Sequence, residues 1–182
     1  MARRHDPRRR ERIIDAAMRL IASEGLAGLS HRTVAAEADV PLGSTTYHFA
    51  SLDELLVAAL RRVAEEQRGD SAWTRHLDPG VPLEDGLLAL LEEWCEDPAR
   101  LRLEYDLYLA ALRRPALRPV AASWLDDMVE LLSARTGDPA LARALVALTD
   151  GLMLQHLLTG RPLDREVTRE TLGRLVGART VG

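Results

Sequence analysis

Disulfide bonds within the chain are excluded, because its 182 residues contain a single cysteine, Cys95. A chain without disulfides suits the reducing cytosol, and we expect a cytoplasmic protein. Cys95 follows Trp94 on an apolar stripe, which predicts a small buried hydrophobic residue.

Export signals and membrane spans are not expected either. The chain has no uninterrupted apolar run of about 18 residues, which is the length that a membrane span needs. The basic start, MARRHDPRRRER, is followed by a segment that carries Asp15 and Arg19 rather than an apolar core. This pattern predicts no signal peptide, twin-arginine type included, and no membrane partner.

Lysine is absent, so all 24 of the Lys and Arg residues are arginine, and the net charge is −4. Residues 1–50 hold eight arginines and six acids, whereas the remainder holds 16 arginines and 22 acids. The charge is therefore +2 at one end and −6 in the body. This distribution argues against a protein coated with nucleic acid over its whole surface.

Catalytic and metal-binding patterns are lacking. The sequence shows no pairing of a nucleophile with a base and no glycine-rich phosphate loop. The histidines are far apart and lack the spacing of metal ligands; they are His5, His31, His48, His76 and His156. We predict that the chain is not an enzyme and has no metal site and no cofactor.

The apolar spacing is helical almost throughout, and no strand or repeat pattern is present. It predicts an all-α protein of about nine helices. The first runs from the Asp6-Pro7 start signal to Gly25, Ser30 caps the second, the third spans about 42–49, and Ser51 and Glu54 form a capping box for the fourth. Residues 69–82 read as a loop, and five more helices follow.

The stretch VPLGSTTYHF, residues 40–49, consists largely of poor helix formers. Val40, Thr45 and Phe49 recur at about one helical turn and can face inward. The other side is small and polar; Leu42, Gly43, Ser44, Thr46 and Tyr47 face outward. Two short helices after a longer one have the size of a helix-turn-helix module, in which such an outer face approaches DNA.

Residues 12–60 resemble the DNA-binding domain of the tetracycline-repressor (TetR) family. The landmarks are Ala16-Ala17, Gly25, Val34-Ala35, Val40, Gly43, Tyr47-His48-Phe49 and Glu54-Leu55. The resemblance implies an N-terminal arm and helix-turn-helix domain, residues 1–50, and a helical ligand-binding and dimerisation domain, residues 51–182. It also implies a homodimer whose repression a small molecule relieves.

Carried over position by position, the resemblance places eight residues near DNA: His31, Arg32, Leu42, Gly43, Ser44, Thr46, Tyr47 and His48. Three positions depart from the family pattern. Asp39 replaces the usual glycine of the turn, although Asp tolerates a left-handed backbone better than most residues. Thr46 replaces a common aromatic residue and Leu52 a usual lysine, which implies weaker attraction to phosphate.

Several roles stay open at this level. Arg3, Arg4, Arg8, Arg9 and Arg10 form either an arm on DNA or a solvated tail. Arg32 either contacts DNA or joins a surface salt bridge. The main rival function is a helical scaffold protein whose DNA-binding domain has decayed, and the departures at Thr46 and Leu52 are its support.

The eighth predicted helix, within DPALARALVALTDGLMLQHLLTG, is apolar nearly all round. Such a helix needs cover on more than one side, and a second subunit would supply it together with the ninth helix. The alternative is burial within its own subunit. A two-fold dimer predicts a palindromic double-stranded DNA operator.

The second domain is expected to enclose a small, largely apolar effector. Candidate apolar walls are Trp94, Tyr105, Tyr108, Trp124 and Met128, and candidate polar anchors are Asp150, Gln155 and His156. The apolar group can equally be plain core. The three polar residues can equally bond across the dimer seam.

Overall fold

The computed structural model describes residues 8–68 and 72–177, and within these ranges it contains helices but no strand. Its α-helices are α1 Arg9–Glu24, α2 His31–Glu37, α3 Leu42–His48, α4 Leu52–Arg68, α5 Ala72–His76, α6 Leu83–Glu96, α7 Pro98–Ala110, α8 Arg118–Thr136, α9 Pro139–Thr159 and α10 Arg165–Gly177. Short 3-10 turns lie at Leu26–Gly28 and Pro115–Leu117.

The all-α prediction is confirmed, and each of the nine predicted helices has a counterpart. A tenth helix, α5, lies within residues 69–82, where the sequence predicts a loop. Trp73 in α5 is 5% exposed, and Leu77, directly after the helix, is 6% exposed. A helix of five residues is too short for periodicity to reveal, and burial of these side chains, rather than local propensity, stabilises it.

The helix ends follow their predicted signals where they are described. Gly25 closes α1 with a φ of 71°, a conformation that glycine adopts without strain. Before α4, the Ser51 hydroxyl accepts from the Glu54 N–H at 3.2 Å, and the Glu54 carboxylate accepts from the Ala50 N–H at 2.8 Å. The predicted Asp6-Pro7 start lies outside the described residues.

The chain divides into two compact units. The first unit comprises residues up to Val63 together with Arg102–Ala121. Its core joins α1–α4 to the end of α7 and the start of α8, and it is aliphatic apart from Phe49: Ile13, Ile14, Ile21, Val34, Leu55, Leu56, Leu103, Leu107 and Leu117 are central members. Residues 102–121 therefore share one core with the helix-turn-helix segment, although they are distant in sequence.

The second unit comprises Ala64–Leu101 and Ala122–Gly182. Within it α10 packs on α6 and α9, and α5 packs on α6. A Cβ atom at Gly86 would overlap the carbonyl oxygen of His76, so the close approach of α5 to α6 requires glycine. The Arg135 guanidinium on α8 donates to the carbonyls of Leu77, Asp78 and Val81, which fixes the segment between α5 and α6.

The apolar helix α9 is only partly covered. Its buried side chains form one stripe: Ala142, Leu145, Val146, Thr149 and Met153. By length and composition alone α9 could cross a membrane, although only 28% of its apolar window is buried. The helix of a soluble core or interface passes the same test, so this finding is weak evidence for a membrane.

Candidate nucleic-acid interface and ligand residues

The start of α2 is held by a reciprocal pair of hydrogen bonds. The Ser30 hydroxyl accepts from the Thr33 N–H at 3.1 Å, and the Thr33 hydroxyl accepts from the Ser30 N–H at 2.8 Å. The predicted cap at Ser30 is confirmed. The cap places His31 and Arg32 in the first turn of α2, where the backbone N–H groups and the positive end of the helix dipole favour an anion.

The inner side of α3 docks on the core of the first unit. Thr45 is fully buried, its hydroxyl donates to the Leu42 carbonyl at 2.8 Å, and Phe49 is 3% exposed. The predicted inward orientation of these two residues is confirmed, whereas Val40 is half-buried against the same core. Docking through Thr45 and Phe49 compensates for the low helix propensity of α3.

The outer side of α3 is open. Tyr47 is 82% exposed and Leu42 is 48% exposed, although both are large and partly apolar. A Cβ atom at Gly43 would meet no atom within 4 Å, and Thr46 is exposed beside it. Ser44 and His48 are half-buried, and the rings of Tyr47 and His48 meet edge to face at 5.1 Å. This side thus presents hydroxyls, a phenol and open backbone to solvent.

The α2 residues contribute positive charge to the same module. Arg32 is exposed, and within residues 8–68 and 72–177 no carboxylate pairs with it. Two acids of the same unit are engaged elsewhere, since Glu37 pairs with Arg19 at 2.7 Å and Glu54 accepts from the backbone. The half-buried His31 has a buried Nδ1 without a hydrogen-bond partner in the described part of the chain.

Part of the predicted arginine arm is helical. Arg9 and Arg10 belong to α1, and the Arg10 guanidinium lies 5.1 Å from the centre of the Phe49 ring. Arg8 directly precedes the helix and is exposed. Arg3 and Arg4 lie outside the described residues. The question of an arm on DNA therefore concerns mainly the residues before α1.

The three departures from the family pattern have different structural consequences. Asp39 adopts a φ of 50°, so the turn keeps the left-handed conformation that the usual glycine would adopt. Leu52 is half-buried and packs against the core of the first unit, a position at which it contributes apolar contact instead of a charge. Thr46 remains a short exposed side chain.

The predicted ligand residues are divided between the units. Tyr105 and Tyr108, on α7 in the first unit, have ring centres 6.4 Å apart. In the second unit, the ring centres of Trp94 on α6 and Trp73 on α5 lie 5.3 Å apart. Trp73 was not among the predicted ligand residues. The others are distributed over two helices of that unit, with Trp124 and Met128 on α8 and Asp150, Gln155 and His156 on α9.

Their environments differ as well. Met128 is 4% exposed and Tyr105 9%, whereas Gln155 is exposed and Asp150 is half-buried. The Nδ1 of His156 donates to the Arg161 carbonyl at 2.8 Å, which ties the end of α9 to the segment that follows it. That local bond is neither a ligand contact nor a bond across a dimer seam, so the assignment of His156 stays a prediction.

Glu104 is a buried acid that the sequence did not indicate. It is a charged residue only 7% exposed, on α7 directly before Tyr105. A single acid within an apolar helical pattern gives no distinctive signal in a sequence. Among the described residues no group of three or more His, Cys, Asp and Glu side chains is arranged to hold a metal ion.

Comparisons with known proteins agree with this architecture. The family model described as bacterial regulatory proteins, tetR family, matches residues 13–59, which hold α2, α3 and most of α1. The model described as tetracyclin repressor-like, C-terminal domain, matches residues 82–178. The chain belongs to the TetR family. It is a DNA-binding transcriptional regulator, and the helix-turn-helix prediction is confirmed.

Similar proteins match most of the chain. The regulator PksA of Bacillus subtilis is 30% identical over 165 residues, which are 83% of this chain and 80% of PksA. The multidrug binding protein EbrR complexed with ethidium is 60% identical, with a TM-score of 0.84 over 94% of this chain and 99% of that one. The EbrR complex with malachite green is 56% identical, with a TM-score of 0.77 over 93% and 98%.

Proposed function

We propose that this TetR-family chain is a homodimeric repressor that binds a palindromic operator through α2 and α3 and releases it when an aromatic, cationic small molecule binds. The observation that carries the DNA-binding part is the side of α3 that the fold leaves uncovered. Tyr47 is 82% exposed there, beside the open backbone at Gly43. Large exposed residues next to a cationic helix start are typical of a surface that docks on a partner.

The DNA contacts divide by chemistry. Arg32 and the start of α2 suit phosphate oxygens, as do the Tyr47 phenol and His48. Thr46 and Ser44 can offer hydroxyls to base edges, and the Thr46 methyl can meet a thymine methyl. Gly43 lets the backbone approach a phosphate closely, since no side chain intervenes. These six positions, together with His31 and Leu42, are the predicted interface, and such a protein works in the cytoplasm, where the chromosome lies.

The effector class is proposed from the EbrR complexes. Ethidium, proflavin and malachite green are bound in three of those structures, and all three are aromatic cations, while a further EbrR structure holds imidazole. An aromatic cation needs apolar walls and a negative group, because a buried charge has to be paired. On α7 the buried Glu104 lies next to Tyr105 and one turn before Tyr108. Glu104 contacts another group in this structure, so a cation would replace or share that partner.

The dimer is proposed from the uncovered part of α9 and α10. Leu158 is 83% exposed and Val167 is 57% exposed, and further leucines of α9 are only half-buried. Monomeric proteins rarely leave such apolar residues clustered on neighbouring helices. A symmetry-related copy of α9 and α10 would cover them in a four-helix interface.

The proposal is tested by selecting genomic fragments that the purified protein retains at physiological salt. A regulator enriches a small set of fragments that share a palindrome, and Arg32→Ala lowers affinity for that palindrome by about tenfold or more. Arg143→Ala, which removes an exposed arginine of α9, is the matched control and leaves binding unchanged. A wild-type protein that retains no fragment, even at low salt, would favour the scaffold alternative.

A further inference from the structure

The turn between α2 and α3 contains a conformational conflict. Asp39 has a φ of 50° and is the one non-glycine residue with a positive φ in the described ranges. The Asp39 N–H donates to the Ala36 carbonyl at 3.2 Å, and the Val40 N–H donates to the Ala35 carbonyl at 3.0 Å. This pair of bonds is the Schellman arrangement, in which glycine is strongly favoured at the left-handed position.

An arginine from α1 contacts this turn directly. Nη2 of Arg12 donates to the Ala38 carbonyl at 2.7 Å and to the Asp39 carbonyl at 3.1 Å. These carbonyls lie at the end of α2, where backbone acceptors lack helical partners and the helix dipole is negative. Hydrogen bonds from a guanidinium to such acceptors are charge-assisted and stronger than neutral ones.

The two observations complement each other. A residue with a side chain is strained in the left-handed region. Nη2 of Arg12 bonds the carbonyl before and the carbonyl after the N–Cα bond of Asp39, and so holds the backbone in place. If the turn relaxed to a negative φ, the carbonyl of Asp39 would rotate away from Arg12. The direction in which α3 leaves the turn would then change.

We propose that Arg12 is a positioning residue that clamps the left-handed turn at Asp39 and so fixes the orientation of α3. It acts through the turn and not by contact with DNA. The inference rests on the proposed DNA-binding role of α3 for its functional consequence. The clamp itself is a property of the first unit and can be measured without DNA.

The alternative role for an exposed arginine near a DNA-binding module is a phosphate contact. The two roles predict different outcomes when Asp39 is changed. Glycine adopts a positive φ freely, so Asp39→Gly removes the need for a clamp. Asp39→Asn removes the same negative charge but keeps a side chain at the left-handed position, which makes it the matched control for electrostatics.

The experiment measures operator affinity for Arg12→Met in three backgrounds: wild type, D39N and D39G. A clamp predicts a loss of about tenfold or more in the wild-type and D39N backgrounds, at most about twofold in D39G, and an unchanged salt slope. An equal loss in all three backgrounds, with the slope reduced by about 1, overturns the proposal in favour of a phosphate contact. No loss in any background also overturns it.

Folding provides the second measurement. The thermal midpoint of each variant, followed by circular dichroism, should fall with Arg12→Met in the wild-type and D39N backgrounds and be restored in D39G. If R12M alone does not fold, a folded R12M/D39G double variant supports the clamp and an unfolded one overturns it. If the wild type binds no DNA, the proposed function fails while this thermal cycle still tests the clamp.

Discussion

Two neighbouring threonines show how differently single residues of α3 are placed. Thr45 is fully buried, with its hydroxyl bonded to a carbonyl, whereas Thr46 is exposed. The sequence could predict this contrast because Val40, Thr45 and Phe49 recur with the helical period. It could not predict that Val40 stays half-buried, since that depends on the packing of other helices around the turn.

Tyr47 gives a prediction in which binding and stability separate. Replacing it with Ala removes a side chain that is 82% exposed, so the free energy of unfolding should change by about 0.5 kcal/mol or less. Operator affinity should nevertheless fall by about tenfold or more, because a proposed phosphate contact is lost. Tyr47→Phe isolates the phenol hydroxyl. Fluorescence anisotropy with labelled operator measures both variants, and wild-type affinity for Tyr47→Ala would refute the assignment.

Cys95 is half-buried, so the prediction of a buried residue was wrong. Partial burial raises the pKa of its thiol, and the nearby Glu92 carboxylate adds to the effect. The thiolate is the reactive form, so alkylation at neutral pH should be slower than in the urea-unfolded chain. The alkylation rate of the folded chain should rise with pH, with its midpoint at a higher pH than in the unfolded chain.

The raised pKa of Cys95 also determines the direction in which the stability of the fold changes with pH. Since the folded state holds the proton more tightly, Cys95 contributes stability below the unfolded thiol pKa, and this contribution is lost as the pH rises through the folded value. Iodoacetamide labelling followed by mass spectrometry over a pH series tests the shift. Equal rates for the folded and the unfolded chain at every pH would contradict it.

Glu104 is the residue on which the proposed charge selectivity depends. Glu104→Gln keeps the shape of the side chain and removes the negative charge that would pair with a cationic dye. Affinity for malachite green should fall by about tenfold or more, which corresponds to about 1.4 kcal/mol or more. Tryptophan fluorescence quenching without DNA measures this affinity. Asp150→Asn is the matching isosteric variant of the acidic candidate on α9. A loss of affinity in that variant alone would assign the role of charge partner to Asp150.

At the scale of elements, the sequence was informative wherever a helix was long enough to show its period. Trp73 and Leu77 illustrate the limit, because five residues of α5 cannot show a stripe and their burial depends on α6. Buried Glu104 illustrates another, since no pattern distinguishes a buried acid from a solvated one. Arg135 donates hydrogen bonds to carbonyls more than 50 residues away in sequence, and these contacts depend on tertiary structure alone.

The uncovered side of α9 indicates which substitution should disrupt the dimer without unfolding the subunit. At 100° per residue, Leu148, Gly151, Leu152 and Leu158 occupy the side that runs from the edge of the buried stripe to the opposite face. A Cβ atom at Gly151 would meet nothing within 4 Å in the single chain. Gly151→Arg should therefore leave the helix content unchanged or raise it, since glycine is a poor helix former.

The bulky charge would nevertheless block a close crossing with a second copy of α9. We expect light scattering to find a dimer for the wild type at micromolar concentration and a monomer for Gly151→Arg. Ala134→Arg adds the same side chain at an exposed position of α8 and serves as the control. A wild-type monomer, or a dimer that tolerates Gly151→Arg, would contradict the proposed interface.

At the scale of the whole molecule, three helices belong to both units. The division falls after Val63 in α4, after Leu101 in α7 and after Ala121 in α8. The sequence predicted that α4 begins at the boundary between residues 1–50 and residues 51–182. It did not indicate that the end of α7 and the start of α8 share the core of the helix-turn-helix, because this requires contacts between residues some 50–100 positions apart.

A cationic ligand that relieves repression has to prefer the conformation with the weaker hold on the operator. Because the coupling is reciprocal, the factor by which malachite green weakens operator binding must equal the factor by which the operator weakens malachite green binding. A tenfold effect corresponds to about 1.4 kcal/mol, and we expect at least this factor in both directions.

Malachite green affinity is measured by fluorescence with and without unlabelled operator, and operator affinity by anisotropy with and without the dye. The dye is titrated into operator alone as a control for its own binding to DNA. The Glu104→Gln protein should need a higher dye concentration for release yet keep its dye-free operator affinity. A dye that binds the protein tightly and leaves operator affinity unchanged would refute ligand-relieved repression by this class of molecule.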